Sequence, residues 1–308
     1  MCPDSGSPAG DDPTELAIFD IDGPVTDPAS RKIEDAGILD LMLDFITGRG
    51  YIAYNTGRAS AIAHQRVIAP LLARARVRGI SPEIISRRVC VFAEKGAVTS
   101  FWDDGLGRWS HRVDPATVVP ASLRGEVASL LRSDPEFQAS MFFDSTKETM
   151  VSVEMRHETA ATAPVAVTVG VFKSVAARFA AEARQLARDR GYDDLEVDCT
   201  TIAVDIQRSG VGKDRGARLA FDWLHRLGKQ AGRVHCFGDS GSDVAMAAEA
   251  YAVMSRCFAD AAERVVYVNV GSALTIDGGF GVQSFPDMYS RGTVAYLRAL
   301  SGSSGPCG

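Results

Sequence analysis

No two cysteines in this sequence are spaced Cys-x-x-Cys, although the chain of 308 residues holds six. They stand at Cys2, Cys90, Cys199, Cys236, Cys257 and Cys307, a scatter that fits reduced thiols and excludes a disulfide framework or a thiolate zinc site. Also missing is any apolar run long enough to cross a bilayer. The opening segment Met1 to Asp12 is polar, with Pro, Ser, Gly and Asp and no apolar stretch. It therefore reads as neither a signal peptide nor a targeting helix, and a cytoplasmic location is the expectation by default. Long basic blocks are absent too. The 33 Lys and Arg against 39 Asp and Glu leave a net charge of −6, which argues against nucleic acid or a membrane surface as a partner. What the chain does have is a 46% share of hydrophobic residues, ample for one large α/β domain or two modest ones.

The run Leu16-Ala17-Ile18-Phe19 ends in Asp20-Ile21-Asp22-Gly23. A short apolar run closing on two carboxylates and a glycine is the pattern of a buried parallel strand whose carboxyl end opens into a loop. In open α/β sheets ligands gather at that edge, so Asp20 and Asp22 are expected to project into a crevice. Two carboxylates so close repel each other unless a cation sits between them, and hard oxygen ligands suit magnesium. The plain alternative is a strand end with solvated acids, and the remaining motifs decide between the two.

A loop with two prolines follows, then a helix with Ile38, Leu41, Met42 and Phe45 on one face, stopped by Gly48 and Gly50. Tyr51 to Asn55 reads as a second buried strand ending in Thr56-Gly57-Arg58. The stretch from Ala59 to Val77 looks helical, with Val67, Leu71 and Ala75 inward and a kink expected at Pro70. This β-α-β-α order predicts a parallel sheet. Val89 to Ala93 is a further strand, and Val98 to Trp102 with Arg108 to Arg112 forms a hairpin around Asp103-Asp104-Gly105.

From about Asp114 the rhythm changes, and residues 114–208 read as an inserted α+β domain. Its expected elements are a helix near Ser122 to Leu131, a strand Met150 to Arg156, a helix Phe172 to Arg188, and an antiparallel pair, Leu195 to Cys199 with Ile202 to Gln207. Thr159 to Val169 is left as loop or edge strand. The first rhythm then resumes: helix Lys213 to Leu227, strand Arg233 to Phe237, helix Asp243 to Glu249, strands Tyr251 to Met254 and Val265 to Val268, and a last helix Asp287 to Leu300. The expected organisation is thus a core of residues 15–113 and 209–300, an insertion of 114–208, and disordered ends at 1–14 and 301–308.

Strand Val234 to Phe237 ends in Gly238-Asp239-Ser240-Gly241-Ser242-Asp243, and Lys213 opens a helix after Ser209-Gly210-Val211-Gly212. Phosphoryl transfer needs an anionic nucleophile, magnesium to neutralise phosphate oxygens, a hydroxyl and a backbone N–H for the phosphate, and a fixed cation. Asp20, Asp22, Thr56, Gly57, Lys213, Asp239 and Asp243 supply each of these. Singly, each motif is more often a turn, a cap or a solvated side chain, so the argument rests on their order and their places at strand ends.

In that order the motifs Phe19-Asp20-Ile21-Asp22-Gly23, Asn55-Thr56-Gly57-Arg58, Lys213 and Gly238-Asp239-Ser240-Gly241-Ser242-Asp243 resemble those of the haloacid-dehalogenase-like hydrolase superfamily. The insertion between the second and third motifs is similar to the α+β cap of its Cof-like and sugar-phosphate phosphatase branch, which includes sucrose-phosphate and trehalose-phosphate phosphatases. The resemblance implies a Rossmann-like core with a parallel sheet flanked by helices, a Mg2+ cofactor and hydrolysis of a phosphate monoester. It further implies that Asp20 is the nucleophile and Asp22 the acid/base. Metal binding falls to Asp20, the main-chain carbonyl of Asp22, Asp239 and Asp243; phosphate binding to Thr56 and Gly57; and Lys213 pairs with both nucleophile and phosphate. Three positions depart from the pattern: Pro24 stands where Thr is usual, Ser242 where Asn is usual, and Glu94-Lys95-Gly96 where Glu-Asn-Gly is frequent.

Substrate choice is expected from the inserted domain, with Lys147 and Arg156 as candidate contacts. Ser152, Glu154 and Arg156 fall on one strand face, which is equally an ordinary solvated face. Arg58, following the phosphate turn, is a further substrate-binding candidate. The partner expected is a small phosphorylated metabolite, most readily a sugar phosphate; the oligomeric state cannot be read. Two alternatives remain, a phosphomutase of the phosphomannomutase type and a catalytically silent phosphometabolite-binding protein.

Overall fold

A computed structural model describes residues 14–28, 30–156, 165–200 and 202–302, with only the backbone of 165–168. Its strands are β1 (Thr14–Phe19), β2 (Gly50–Asn55), β3 (Val89–Ala93), β4 (Val98–Asp103), β5 (Arg108–Val113), β6 (Met141–Asp144), β7 (Val151–Met155), β8 (Leu195–Cys199), β9 (Ala203–Arg208), β10 (Ala231–Gly238), β11 (Val265–Asn269) and β12 (Gly281–Ser284). The chain divides into two compact units, Met1–Arg112 with Gly212–Gly308, and Val113–Val211.

The first unit is a helix-flanked sheet in the order β12-β11-β10-β1-β2-β3-β4-β5. Pairings from β12 through β3 are parallel, and β3 to β4 is antiparallel. Helices cover both faces of its centre, which is why the central strands are continuous apolar runs rather than alternating ones. Leu16, Ala17, Ile18 and Phe19 of β1 are completely buried. In register, Phe19 faces Phe237 on one side and Tyr54 on the other, and the Phe19 and Phe237 rings stack with centroids 4.1 Å apart. Because β1, β2 and β10 run the same way and stop level, the residues that follow Phe19, Asn55 and Gly238 emerge together.

Several sequence expectations are corrected here. The helix Gly37–Thr47 buries Ile38, Leu39, Met42, Leu43 and Ile46, while Leu41 and Phe45 are only half-buried. Its apolar residues are so numerous that periodicity alone does not locate the middle of the stripe. The segment after Ala59 is helical at Ser60–Ala63 and Ala69–Val77, with a π turn at His64–Ile68 between. The wider turn sits where Pro70, lacking an N–H, would otherwise leave the Arg66 carbonyl without its helical donor. Val67, Leu71 and Ala75 are buried, as expected. Tyr251 to Met254 is no strand but the end of helix Val244–Met254, whose buried Met246, Ala247, Ala250 and Met254 follow helical spacing. The sheet is extended instead by β12, a mostly exposed edge with no apolar run to announce it.

The second unit is an antiparallel sheet, β6-β7-β9-β8. Val151, Val153, Val204 and Ile206 from one of its faces pack with Leu123, Phe137 and Phe179 from the helices Ala121–Ser133, Pro135–Ser140 and Val165–Asp189. The short helix and β6 that follow Ser133 were not anticipated. Of the stretch Thr159 to Val169, residues 165–169 begin a helix, and 159–164 lie outside the described residues. At the chain ends, Thr14 already belongs to β1 and the last helix runs Ser290–Gly302, so Thr14, Ser301 and Gly302 are ordered; residues 1–13 and 303–308 lie outside the description.

Candidate active site

Three carboxylates meet beyond the ends of β1 and β10. Asp20 follows β1, its amide donating to the Phe237 carbonyl of β10 at 2.9 Å. Asp239 follows Gly238, and Asp243 closes the tight turn Gly241–Asp243. Oxygens of Asp20, Asp239 and Asp243 all lie within 4.8 Å of one another. Gly23 makes this approach possible: its φ is +95°, and a Cβ there would sit 2.5 Å from Asp239 Oδ2.

Lys213, first residue of the helix Lys213–Arg226, anchors the cluster. Its Nζ lies 2.8 Å from Asp20 Oδ1, 2.9 Å from Asp243 Oδ1 and 2.8 Å from the Asn55 carbonyl oxygen. Asn55 returns the contact, donating Nδ2 to the Lys213 carbonyl at 2.7 Å. The ammonium is therefore surrounded by three oxygens, two of them on carboxylates, and the end of β2 is latched to the start of that helix. On the other side, Asp243 Oδ2 accepts from the amides of Asp239 (3.2 Å) and Ser240 (3.1 Å) and from Ser240 Oγ (2.7 Å).

Burial pushes the Asp239 carboxyl up to about 8, reinforced by the neighbouring charges of Asp20 and Asp243. Burial likewise raises Asp20 to about 6; Lys213 opposes the rise, and Asp243 and Asp22 add to it. Lys213 is itself held above the ordinary lysine range: burial would lower it, but Asp20 and Asp243 outweigh that. Acids driven toward protonation by one another, beside a lysine that only partly offsets them, form a donor set that fits a hard divalent cation.

Asp22 stands apart from this trio. Its Oδ2 accepts from Arg58 Nε at 2.6 Å, while Arg66 Nη1 lies 3.6 Å and Thr26 Oγ1 3.5 Å from Oδ1. Burial would raise its pKa, but Arg58, with Arg31 and Arg66, holds it below the usual carboxylate range. The side chain of Arg58, read from sequence as a substrate contact, is thus bound to Asp22. That partnership, the support from Arg66 and the latch by Asn55 were missed; no spacing in the sequence signals pairs so far apart.

Thr56 is buried after β2, its amide bonded to the Phe92 carbonyl at 3.0 Å and its Oγ1 accepting from the Arg58 amide at 3.1 Å. The hydroxyl proton then remains to be donated to an anion, beside Gly57. Pro24 does no harm to its loop, because the turn is closed by the amides of Gly23, Val25 and Thr26 and asks for none at position 24. Ser242 takes the place of an ordering amide with a hydroxyl 2.9 Å from Ser240 Oγ. In the second unit, Lys147 is buried with Nζ 3.6 Å from Asp144 Oδ2, and Arg156 lies just past β7 with Nε on the Gln138 carbonyl at 2.8 Å. Ser152 and Glu154 are buried rather than solvated, and Ser152 Oγ donates to Asp205 Oδ1 at 2.7 Å.

No protein-family model and no curated protein matches the sequence. Solved structures do resemble it in fold. The C-terminal domain of trehalose-6-phosphate phosphatase from C. albicans superposes with a TM-score of 0.62 at 15% identity, over 95% of this chain and 94% of that one. A haloacid dehalogenase-like hydrolase from Bacteroides thetaiotaomicron gives 0.55 at 11%, over 93% and 99%. The sucrose-phosphatase of Synechocystis, solved with sucrose and phosphate, gives 0.50 at 12%, over 94% and 98%. None of the described helices is long and apolar enough to cross a membrane. With so little identity, what these proteins share with this chain is architecture, and that architecture is the fold of the haloacid dehalogenase-like hydrolases.

Proposed function

We propose that the protein is a magnesium-dependent phosphatase that hydrolyses a phosphate monoester of a small metabolite through an aspartyl-phosphate. The observation that carries this reading is Lys213, fixed between Asp20 and Asp243 with Asp239 alongside. Asp20 Oδ1 accepts from both the Ile21 amide at 2.7 Å and Lys213, so Oδ2 is the oxygen assigned to attack phosphorus in line. As the new O–P bond forms, the ester oxygen departs and takes a proton from Asp22. Asp22 then removes a proton from the water that cleaves the aspartyl-phosphate, regenerating Asp20. Arg58 favours the charged form of Asp22 and so poises it for this second step; to act as acid, Asp22 must release Arg58. Asp20, Asp239 and the Asp22 carbonyl, with Asp243 near, would hold Mg2+, which neutralises phosphate oxygens when bound. Thr56 and the Gly57 amide receive those same oxygens.

The sugar-phosphate class is supported by the named activities of the C. albicans and Synechocystis proteins. Residues 113–211 act as the cap in this reading, with Lys147 and Arg156 as the residues to test for contact with the leaving group. A screen of phosphorylated metabolites with and without Mg2+, read as inorganic phosphate released, tests the proposal and separates hydrolysis from phosphoryl retention by a mutase. Asp20→Asn is expected to abolish release; unchanged release in that variant would overturn the assignment.

A further inference from the structure

Immediately after β3 the backbone does something costly. Glu94, Lys95 and Gly96 have φ values of +48°, +57° and +87° in succession. A glycine takes this region freely and an asparagine readily, whereas a lysine pays about 1–2 kcal/mol to stay there. The loop is nonetheless held firmly. The Glu94 amide donates to the Arg58 carbonyl at 3.0 Å and the Lys95 amide to the Thr56 carbonyl at 2.9 Å, while Arg215 Nε donates to the Gly96 carbonyl at 3.2 Å. Gly96 is pressed so close to the helix Lys213–Arg226 that a Cβ would lie 3.0 Å from the Gly216 nitrogen. Both backbone ties thus end on the turn that contains Gly57. The Lys95 side chain, only 8% exposed, lies over that turn, its Cε 3.9 Å from where a Cβ on Gly57 would be.

The charges around the turn give this placement a purpose. Four carboxylates, Asp20, Asp22, Asp239 and Asp243, face an incoming phosphate dianion. Lys213, paired with Asp20 and Asp243 and bonded to the Asn55 carbonyl, and Arg58, whose Nε goes to Asp22, already offset part of that charge. We propose that Lys95 is an anion-binding residue of this site, its ammonium laid along Gly57 to take a peripheral oxygen of the phosphoryl group. A strained backbone tied at both ends is the means of presenting a long cationic side chain at a fixed spot. This rests on the reading of Thr56 and Gly57 as the phosphate-binding turn.

The test is binding of inorganic phosphate to the full-length protein in saturating Mg2+, by calorimetry, for the wild type, Lys95→Asn and Lys95→Gly. Both replacements tolerate the left-handed backbone and remove the charge. Expected is an affinity for phosphate weaker by about 10- to 100-fold in both variants, with Mg2+ affinity unchanged and a melting temperature equal to the wild type's or higher. Equal phosphate affinity in wild type and variants, or no phosphate binding by the wild type, would overturn the proposal. So would a loss of affinity that appears only together with lower melting temperatures in both variants, since Lys95 would then serve the fold, for instance against the wholly buried Glu94. The two readings fail separately. A wild type that binds phosphate through Lys95 but hydrolyses no ester removes the phosphatase and leaves this residue its role. A wild type that turns over, with both variants binding phosphate as it does, removes only the role of Lys95.

Discussion

At the scale of single residues, the site is a set of carboxylates whose surroundings push them in opposite directions. Asp20 is raised by burial and by Asp243 and Asp22, and Asp239 by burial and by Asp20 and Asp243, while Asp22 is pulled down by Arg58 in spite of its burial. The two residues proposed as nucleophile and acid/base, two positions apart, are thereby made chemically different. Arg58→Ala leaves Asp22 with burial and without its main counter-charge, so its pKa rises. In the pH profile of kcat the acidic limb is expected to move to higher pH, and kcat to fall by roughly 10²-fold, a general acid/base contribution at its lower end. A profile with its acidic limb unmoved would mean that Asp22 does not govern it. Much of this scale was legible in the sequence: Asp20, Asp22, Asp239, Asp243 and Lys213 sit at strand ends and a helix start, where local pattern announces them. Arg58 was legible as a neighbour of the site but not as the partner of Asp22, because the two are brought together only by adjacent strands.

At the scale of elements, the acidic loop after β10 is held in shape by a reciprocal cap. Ser240 Oγ accepts from the Asp243 amide while the Asp243 carboxylate accepts the Ser240 amide, and Ser240 Oγ also donates to Asp243 Oδ2. The Tyr267 hydroxyl adds a bond to the Ser240 carbonyl at 3.2 Å. Ser240→Ala removes one donor from a wholly buried carboxylate. A stability loss of about 1 kcal/mol is expected in chemical denaturation, with Mg2+ bound more weakly in calorimetry, because Asp243 is less well fixed. Unchanged Mg2+ affinity would show that Lys213 and the amides of Asp239 and Ser240 suffice to place Asp243. The elements differ in how readily sequence gave them away. β1, β2, β3, β10 and β11 are short buried runs bounded by loops, so they stood out. Tyr251 to Met254 looked like such a run and is the end of a helix, because four residues of apolar sequence fit either period until the preceding turns are packed.

For the whole molecule, the raised carboxyls make stability depend on pH and on metal together. Asp239 and Asp20 titrate near 8 and near 6 in the folded chain and near 4 when unfolded. A raised acid stabilises the fold most below its unfolded value, and that contribution is lost as pH climbs through the folded one. Without divalent cations the melting temperature is therefore expected to fall between about pH 4 and pH 8 through these groups. Mg2+ favours the charged form, so its stabilising effect should grow over the same interval. A metal-free melting temperature that rises across that interval, with no response to Mg2+, would contradict the electrostatics described. The sequence by itself determined the β-α rhythm, the strand ends and the acids they carry, because burial of a parallel sheet and the change of period at helices are written in consecutive residues. Only tertiary structure decided that Asn55 latches Lys213, that Arg58 holds Asp22, and that Lys95 lies over Gly57. Each of those contacts joins segments that become neighbours through sheet order, and sheet order is set by how whole faces pack rather than by any local pattern.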